Sequence, residues 1–509
     1  MPNCSPSLQG WNLVSINSLL AGVWSPGLEK LWLKMVVEAI GERQARFNAR
    51  VALIAVLAGA AIGVGVAAIG PLYLVAGLIG LAVGIAFLRN TQVGILSFVA
   101  IATLLPFAVI PVPLGAFKLT LIDVTLTTLL LVWVVRLLMV PDTRLHVGGV
   151  GNLVLLFILL ALVSFIGGTA YTISAENIRL FLKMINSILF FFTIVNCLRT
   201  KRHVEQVIAG MIIGGSVTAA IGIALYFTPA DTATRLLSAL RPLGYPSGPD
   251  VLRYIAGTDT LRAISTSVDP NILGATLMLS GILSISQLFS PATILPRRVL
   301  VATSGTIVAG LLLTLSRSSW IGLIVGVLVI TSFRRRRLWI LFIALAIVFY
   351  AGLLPENMPF VSHLESGLQA RDQAAAMRLG EYKDALRLIT GYPWFGVGFG
   401  QAPSADLYVG VSSIYLLMAE EMGLVGTAVF LLIMGVLLLD AIRRLPRIQD
   451  ARWQVIALGL VASLLGALTA GVLDHHFFGL AFPHTVALFW MLVGLIAVAT
   501  RMADREGEP

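Results

Sequence analysis

A short polar stretch, "DHHFF" (Asp474 to Phe478), interrupts the apolar C-terminal part of the chain. A histidine can accept or donate a proton near neutral pH, and a neighbouring carboxylate can hold its tautomer and raise its basicity. Asp474, His475 and His476 are therefore candidates for general-base catalysis. Adjacent residues of a helix point about 100° apart, so only one ring would face a cavity. The alternative is that these residues are a polar anchor among aromatic side chains at the headgroup level of a membrane.

A second stretch, "GYPWFGVGFGQ" (391–401), places glycines at Gly396, Gly398 and Gly400. A dinucleotide-binding fingerprint needs a strand before the glycines, a helix directly after them, and a third glycine three residues after the second. This run has the spacing Gly-x-Gly-x-Gly and follows a helical stretch. We therefore expect a tight loop that returns the chain to the membrane, with close backbone approach to an anionic substrate as the alternative.

The sequence shows no metal-binding pattern. Cys4 and Cys197 are far apart, and neither has a metal-type spacing. Glu356, His363 and Asp406 are the residues that could join "DHHFF" in a metal site, but no ligand spacing supports them. We predict no metal and no cofactor.

The composition is that of a polytopic membrane protein. Of 509 residues, 58% are hydrophobic and 12% are charged, and the mean hydropathy is +0.94. Apolar runs long enough to span a bilayer recur between residues 51 and 500, and lipid offers no partner for free peptide groups, so we predict an all-α fold with about fourteen transmembrane helices. The predicted spans begin near Val51, Pro71, Val93, Leu121, Gly151, Ile178, Val204, Asn271, Val299, Trp320, Leu338, Ser413, Val455 and Thr485.

The net charge of +10 comes from basic clusters that fall in alternate connections between the apolar runs. This distribution indicates membrane orientation rather than nucleic-acid binding, because cytoplasmic loops are enriched in Lys and Arg. Both termini are then predicted to be cytoplasmic. The basic clusters are Arg43–Arg50, Arg89, Arg136 and Arg144, Arg199–Arg202, Arg297 and Arg298, Arg334–Arg337, Arg443–Arg452, and Arg501 and Arg505.

This orientation divides the chain into three parts. Residues 1–50 form a cytoplasmic or interfacial N-terminal segment, residues 51–500 the transmembrane domain, and residues 501–509 a cytoplasmic tail. Two long connections, about 228–268 and 355–411, are extracytoplasmic. The stretch from Leu364 to Ile389 within the second connection has an approximate apolar stripe and is predicted to be a helix.

Four stretches resemble, in order and spacing, the O-antigen ligase and polymerase superfamily, and the resemblance covers roughly residues 150 to 500. Each stretch is weakly specific alone, but four in order on one topology are fairly specific. They are "RAISTSVDPNILGATLML" (262–279), "LTLSRSSWIGLIVG" (313–326), "RLGEYKDALRLITGYPWFGVGFG" (378–400) and "SSIYLLMAEEMGLVG" (412–426).

The resemblance implies a GT-C-like membrane fold with a large extracytoplasmic loop before the third-last helix. It implies an enzyme of the bacterial cytoplasmic membrane, independent of metals and nucleotides. Such enzymes transfer a glycan from an undecaprenyl-pyrophosphate carrier to lipid A core or to another lipid-linked unit. By this resemblance Arg262 and Arg317 contact the pyrophosphate, and an arginine fork suits phosphate oxygens. Asp269 is predicted to cap a helix, and Glu421 to serve helix packing or a buried hydrogen bond.

The sequence departs from the ligases at one place. Ligases carry a His-Asn pair at the start of the helix after the large loop, where this chain has Ser412 and Ser413. The expected base is absent there, so "DHHFF" is the replacement candidate, and a polymerase is favoured over a ligase. Ser412, Ser413, Arg378 and Asp406 are possible glycan or loop contacts. The alternative function is a transporter of a small anion or a glycolipid.

Overall fold

The computed structural model describes residues 71–110, 119–139, 146–147, 149–168, 174–248, 251–255, 259–334, 373–400 and 411–504. The chain divides into two units, Met1–Leu81 and Ala82–Pro509, and the sites discussed below lie in the second. The expected N-terminal segment, the spans near Val51 and Leu338, and Asp406 lie outside the described residues.

The described part of the chain is mostly helical. A two-stranded antiparallel sheet, β1 (Arg253–Tyr254) and β2 (Leu261–Arg262), is formed within the connection between α6 and α8. The helices are α1 (Pro71–Arg89), α2 (Thr91–Leu104), α3 (Leu121–Met139), α4 (Gly151–Gly167), α5 (Ala175–Cys197), α6 (Lys201–Phe227), α7 (Ala230–Ser238), α8 (Pro270–Leu288), α9 (Arg297–Leu313), α10 (Arg317–Arg334), α11 (Gln373–Gly391), α12 (Ile414–Arg444), α13 (Ala451–Ala470) and α14 (Pro483–Asp504).

Among the described residues, seven helices are long and apolar enough to cross a membrane, or eight if α1 and α2 together form one span. This finding confirms a helical, polytopic membrane protein. It does not establish the expected number of fourteen spans. Helices α4 and α10 are also apolar but shorter. The GT-C-like arrangement stays a prediction.

The spans expected near Pro71 and Val93 are joined by a sharp bend. Helices α1 and α2 are bent by 120° at a single residue, Asn90. The Asn90 backbone is extended, and its side-chain oxygen accepts the backbone N–H of Gln92 at 3.1 Å. A side-chain cap of this kind starts a new helix and replaces the hydrogen bonds that the break removes. The pair is therefore a broken span or a re-entrant segment.

Three helices form the interior of the bundle. In the apolar segments of α8 and α14, 83% of the residues are buried, and in that of α13 78% are buried. In α3 the share is 33%. Helix α13 packs extensively against α10 and α8, and α14 packs against α5. The exposed side chains of the outer helices are largely apolar, as expected of surfaces that face lipid.

The glycine loop packs against a break in α12. Gly423 has φ +69° within this helix, so the helix is kinked there. The carbonyl oxygens of Glu420 and Glu421, next to the kink, accept the backbone N–H groups of Val397 (2.8 Å) and Gly398 (3.1 Å). Backbone groups released in a membrane helix must find partners within the protein. The loop supplies those partners.

The glycines of the loop permit this close approach. Gly396 and Gly398 have φ values of +71° and +86°. A Cβ on Gly396 would collide with the carbonyl groups of Glu420 and Glu421, and one on Gly398 would lie 2.8 Å from the Cα of Gly168. The tight loop expected from the sequence is therefore formed. The loop packs against a broken helix. Glycines are needed there because only glycine can adopt these angles at such short separations.

Candidate functional site

The guanidinium of Arg262 is held by hydrogen bonds to other residues. It lies at the end of β2, and its Nε donates to the carbonyl oxygen of Thr314 at 2.9 Å, while Nη2 donates to Oδ1 of Asn271 at 2.6 Å. Burial lowers the pKa of the Arg262 guanidinium to about 10, so the group stays charged at neutral pH. The guanidinium is thus a positioned cation rather than a solvated loop charge.

The backbone around Arg262 is strained. Ser265, Val268 and Leu315 are the non-glycine residues with positive φ in the described part of the chain, at 51°, 60° and 52°. Two of them follow Arg262 in sequence, and the third precedes α10 next to Thr314. Such angles are costly for a leucine or valine and concentrate where function constrains the chain.

Arg317 is the first residue of α10 and is half-buried. Its positive charge lowers the pKa of the Arg262 guanidinium. The serines around it are buried and bonded: Ser316 Oγ lies 3.0 Å from Ser319 Oγ, and Ser318 Oγ donates to Oδ2 of Asp474 at 3.2 Å. The residue that follows Arg317 in "LSRSS" is therefore hydrogen-bonded to "DHHFF".

The "DHHFF" stretch follows α13 but is not helical. Helix α13 ends at Ala470, and residues 471–482 form turns before α14 begins at Pro483. The expectation that two rings project about 100° apart from a helix is therefore wrong. The different environments of the two histidines come instead from the turn, which buries His476 more deeply than His475.

Asp474 lies close to the ring of His476 and farther from the ring of His475. Its Oδ1 lies 2.7 Å from Nε2 of His476 and 3.8 Å from Nδ1 of His475, and it accepts the backbone N–H of His475 at 2.9 Å. Burial favours the neutral acid, but the attraction and hydrogen bond of His476 outweigh it, so the pKa of Asp474 is well below its usual value. Asp474 is therefore a buried carboxylate at neutral pH.

The pKa values of the two histidines are shifted in opposite directions. Burial lowers the pKa of His475, and the positive charge of His476 lowers it further. Burial also opposes the charging of His476, but Asp474 overcomes this effect and raises the pKa of His476 above its usual value. His475 is therefore the neutral imidazole of the pair, and its side chain is 31% exposed whereas that of His476 is 7% exposed.

Arg378 joins the same group of charges. It lies on α11, and its positive charge lowers the pKa values of Arg262, Asp474 and His476. The sequence placed this residue among possible loop contacts, and α11 forms within the stretch expected to be a helix. The structure brings it to the arginines that precede it by more than sixty positions.

Two residues that were not among the predicted site residues, Glu381 and Tyr382, anchor α11. The Tyr382 hydroxyl donates to the carbonyl oxygen of Ser412 at 3.0 Å, and Oε2 of Glu381 accepts the backbone N–H of Ser412 at 3.0 Å. Ser413 is buried at the start of α12 and makes no side-chain cap hydrogen bond. Ser412 thus takes part through its backbone, and the carboxylate of Glu381 lies next to the position of the expected histidine.

Asp269 and His484 complete the surroundings. Oδ1 of Asp269 accepts the N–H groups of Asn271 (2.8 Å) and Ile272 (3.1 Å), which confirms the predicted helix cap. Its negative charge also acts to raise the pKa values of His475 and His476. His484, at the start of α14, is 1% exposed and was not identified from the sequence. The motif "FPHT" gave one signal, since proline favours the first turn of a helix and leaves the next side chain near the helix end.

Within the described residues, no group of three or more His, Cys, Asp or Glu side chains is arranged to hold a metal ion. Asp406 and His363 lie outside those residues. Glu421 is buried, and its Oε2 has no hydrogen-bond partner in the described part of the chain.

A family model and a chain from a solved structure are similar to parts of this chain. No curated protein sequence matches the chain. A chain from a solved structure described as "Structural coordination of polymerization and crosslinking by a peptidoglycan synthase complex" is similar at 15% identity and a TM-score of 0.43, covering 71% of this chain and 98% of that chain. Residues 302–431 match the family model described as "O-Antigen ligase". This range contains "LSRSS", α11, the glycine loop and the start of α12, so this part of the chain is similar to the O-antigen ligase family.

Proposed function

We propose that the protein transfers a glycan from a polyprenyl-pyrophosphate carrier on the extracytoplasmic face of the bacterial cytoplasmic membrane. One observation carries this proposal: the positive charges of Arg262 and Arg378 are within electrostatic range of a buried Asp474, Arg317 is within range of Arg262, and a neutral histidine lies beside Asp474. Three guanidinium groups suit a pyrophosphate, and the match to the O-antigen ligase family supports a glycan-processing enzyme.

The arginines stabilise the leaving group. In the transfer, the acceptor hydroxyl oxygen bonds to the anomeric carbon, and the bond from that carbon to the pyrophosphate oxygen breaks. The electron pair of the broken bond remains on the pyrophosphate. Positive groups that are already in place lower the barrier, because they do not have to reorganise as this charge develops. Arg262 is held by Thr314 and Asn271 before any substrate binds.

His475 accepts the acceptor's proton. Its Nδ1 is buried 3.8 Å from Oδ1 of Asp474, so Nε2 is the nitrogen that we assign to the acceptor hydroxyl. A neutral imidazole is required for this step, and burial together with the charge of His476 keeps His475 neutral. His476 stays paired with Asp474 and positions it.

The site favours a polymerase over a ligase because Ser412 and Ser413 stand where ligases carry a His-Asn pair. A deletion strain separates the two. Loss of long chains, with single units still attached, supports a polymerase, whereas an unattached lipid-linked polymer supports a ligase.

The direct test uses purified protein and a synthetic polyprenyl-pyrophosphate-linked glycan. We expect release of polyprenyl pyrophosphate together with a longer glycan, and loss of both products in His475→Ala. His203→Ala is the control, because His203 begins α6 at the opposite, cytoplasmic end of the predicted topology. Full product formation by His475→Ala would contradict the role of this residue.

A transporter is the competing function, since broken membrane helices often line transport sites. At the break in α12, however, the backbone N–H groups of Leu424 and Val425 already donate to the carbonyl oxygens of Pro393 and Trp394 in the glycine loop. They are therefore not available to a transported anion. Uptake of a labelled anion into vesicles, without glycan transfer, would favour the transporter.

A further inference from the structure

A cavity of about 440 Å³ opens next to the candidate site and shares Asp269 and His484 with its surroundings. Its walls come from the end of α2, the start of α5, the β1–β2 region and residues 481–484. Arg262, Arg317 and Arg378 are not among the residues that line it. The volume is within the range of small-ligand sites.

Basic side chains dominate the charged part of its lining. Arg179, Lys183 and Arg253 line the cavity with one acidic residue, Asp269. The Asp269 carboxylate already accepts two backbone N–H groups of α8. Lys183 is paired with Asp123, which does not line the cavity, at 2.6 Å. The lining therefore favours an anion.

Two buried nitrogen atoms of this lining have no hydrogen-bond partner in the described part of the chain. Arg179 is paired with Glu176 through Nη2, but its Nε is unpartnered. His484 is 1% exposed, and its Nε2 is also unpartnered. The ring of Phe107 packs edge-on against His484 at 4.9 Å. An unsatisfied buried polar group is costly, and a ligand with oxygen atoms would satisfy both nitrogens.

The hairpin connects this cavity with the candidate site. Arg253 of β1 is directly opposite Arg262 of β2. Facing residues of an antiparallel pair project to the same side of the sheet. One hairpin can therefore contact two phosphate groups, one through each arginine.

We propose that the cavity binds the pyrophosphate of a second lipid-linked substrate, the acceptor. This inference rests on the proposed function, in which Arg262 and Arg317 hold the donor. The apolar walls formed by Pro106, Phe107 and Phe482 suit the first isoprene units of the carrier. Two adjacent pyrophosphate sites are what a polymerase requires, because both of its substrates carry a lipid pyrophosphate.

Calorimetric titration with geranyl pyrophosphate, a soluble carrier analogue without glycan, tests the proposal. We expect the detergent-purified wild type to bind two equivalents, and the double variant Arg179→Gln/Arg253→Gln to bind one. Arg317→Gln should also bind one equivalent, at the cavity. Arg235→Gln, on the exposed face of α7, is the charge-matched control and should bind two. If the double variant does not fold, Arg253→Gln alone replaces it, since Arg253 is exposed.

The outcomes separate this inference from the proposed function. If the wild type binds one equivalent and only Arg317→Gln loses it, the cavity site is overturned and the donor site stands. If only the cavity variants lose it, the cavity site stands and the donor site is overturned. Titrations repeated in nanodiscs test the source of the ligand. Loss of the second equivalent with phosphatidylglycerol but not with phosphatidylcholine would contradict the acceptor assignment and indicate a phospholipid site.

Discussion

His475 and His476 are neighbours in sequence, but at the scale of single residues they have different tasks. Asp474 binds His476 closely and leaves His475 neutral and partly exposed. A base must be unprotonated and reachable by its substrate, and these two properties belong to His475.

We expect His475→Ala to reduce the turnover number about 100-fold or more, in line with the usual contribution of a general base. His476→Gln should retain measurable turnover, because a hydrogen-bonding amide still contacts Asp474. Asp474→Asn should cause an intermediate loss. Glycan transfer by the purified variants measures all three, and equal turnover in His475→Ala and the wild type would move the search for the base to Asp406 and His363.

The pH profile gives an independent check. A histidine base is inactive when protonated, so turnover should fall as pH decreases through the pKa of His475. This pKa is lowered, so the acid limb should lie below the ordinary value of about 6.5. In His476→Gln the repelling charge is removed, and the acid limb should shift to higher pH. A limb that stays in place in this variant would show that the charge of His476 does not act on the base.

Arg317→Lys should lower turnover about 100-fold, the usual cost of removing one group that stabilises developing charge. Lysine carries the same charge but lacks the planar fork that binds two phosphate oxygens. Steady-state transfer kinetics measure the loss, and an unchanged thermal midpoint would show that folding is intact. Arg298→Lys, at the exposed start of α9, is the matched control and should behave like the wild type. Near-normal turnover of Arg317→Lys would remove its role at the pyrophosphate.

At the scale of elements, the glycine loop and the kink in α12 form one unit. Leu424 N–H binds the carbonyl oxygen of Pro393 at 2.7 Å, and Ser164 Oγ of α4 donates to the carbonyl oxygen of Phe395 at 2.8 Å. The loop thus connects α12 with α4 and sets where α11 ends. Because α11 carries Arg378, the position of this arginine depends on the glycines.

Gly396→Ala should destabilise the protein by at least about 1 kcal/mol, because alanine is strained at positive φ and its Cβ would meet the carbonyl groups of α12. Gly391→Ala is the matched control, since Gly391 ends α11 with open space around an added Cβ. Thermal unfolding in detergent measures both variants. Equal midpoints for Gly396→Ala and the wild type would contradict the clamp between the loop and α12.

At the scale of the whole molecule, the site residues meet at the helix ends that the alternating basic clusters predict to be extracytoplasmic. These are the ends of α6, α9 and α13 and the starts of α8, α10 and α12. The opposite ends carry basic residues such as Arg297, Arg443 and Arg452. A substrate delivered by a polyprenyl carrier would enter at the first set of ends.

Cysteine labelling in intact cells tests this orientation. In a background without Cys4 and Cys197, Lys383→Cys on the exposed face of α11 should react with an impermeant thiol reagent. Gln449→Cys, between α12 and α13, should react only after lysis. The reverse pattern would overturn the predicted topology and the extracytoplasmic site.

The sequence by itself determined the class of the fold. Apolar runs at these lengths form helices because lipid leaves the backbone no other partners, and basic residues mark the expected cytoplasmic ends. Local chemistry was equally readable: Asp269 caps α8, and the glycines around Gly396 form a tight loop. These features depend on residues that are close in sequence, so they need no knowledge of the remaining chain.

Only the tertiary structure decided which of these features act together. The carbonyl groups of Glu420 and Glu421 accept the N–H groups of Val397 and Gly398, more than twenty residues away. Asp474 lies 156 positions from its partner Ser318. The different burial of His475 and His476, and the cavity around His484, likewise arise from helices that are distant in sequence. Burial and charge pairing are properties of packed neighbours, and a local pattern does not specify which neighbours will pack.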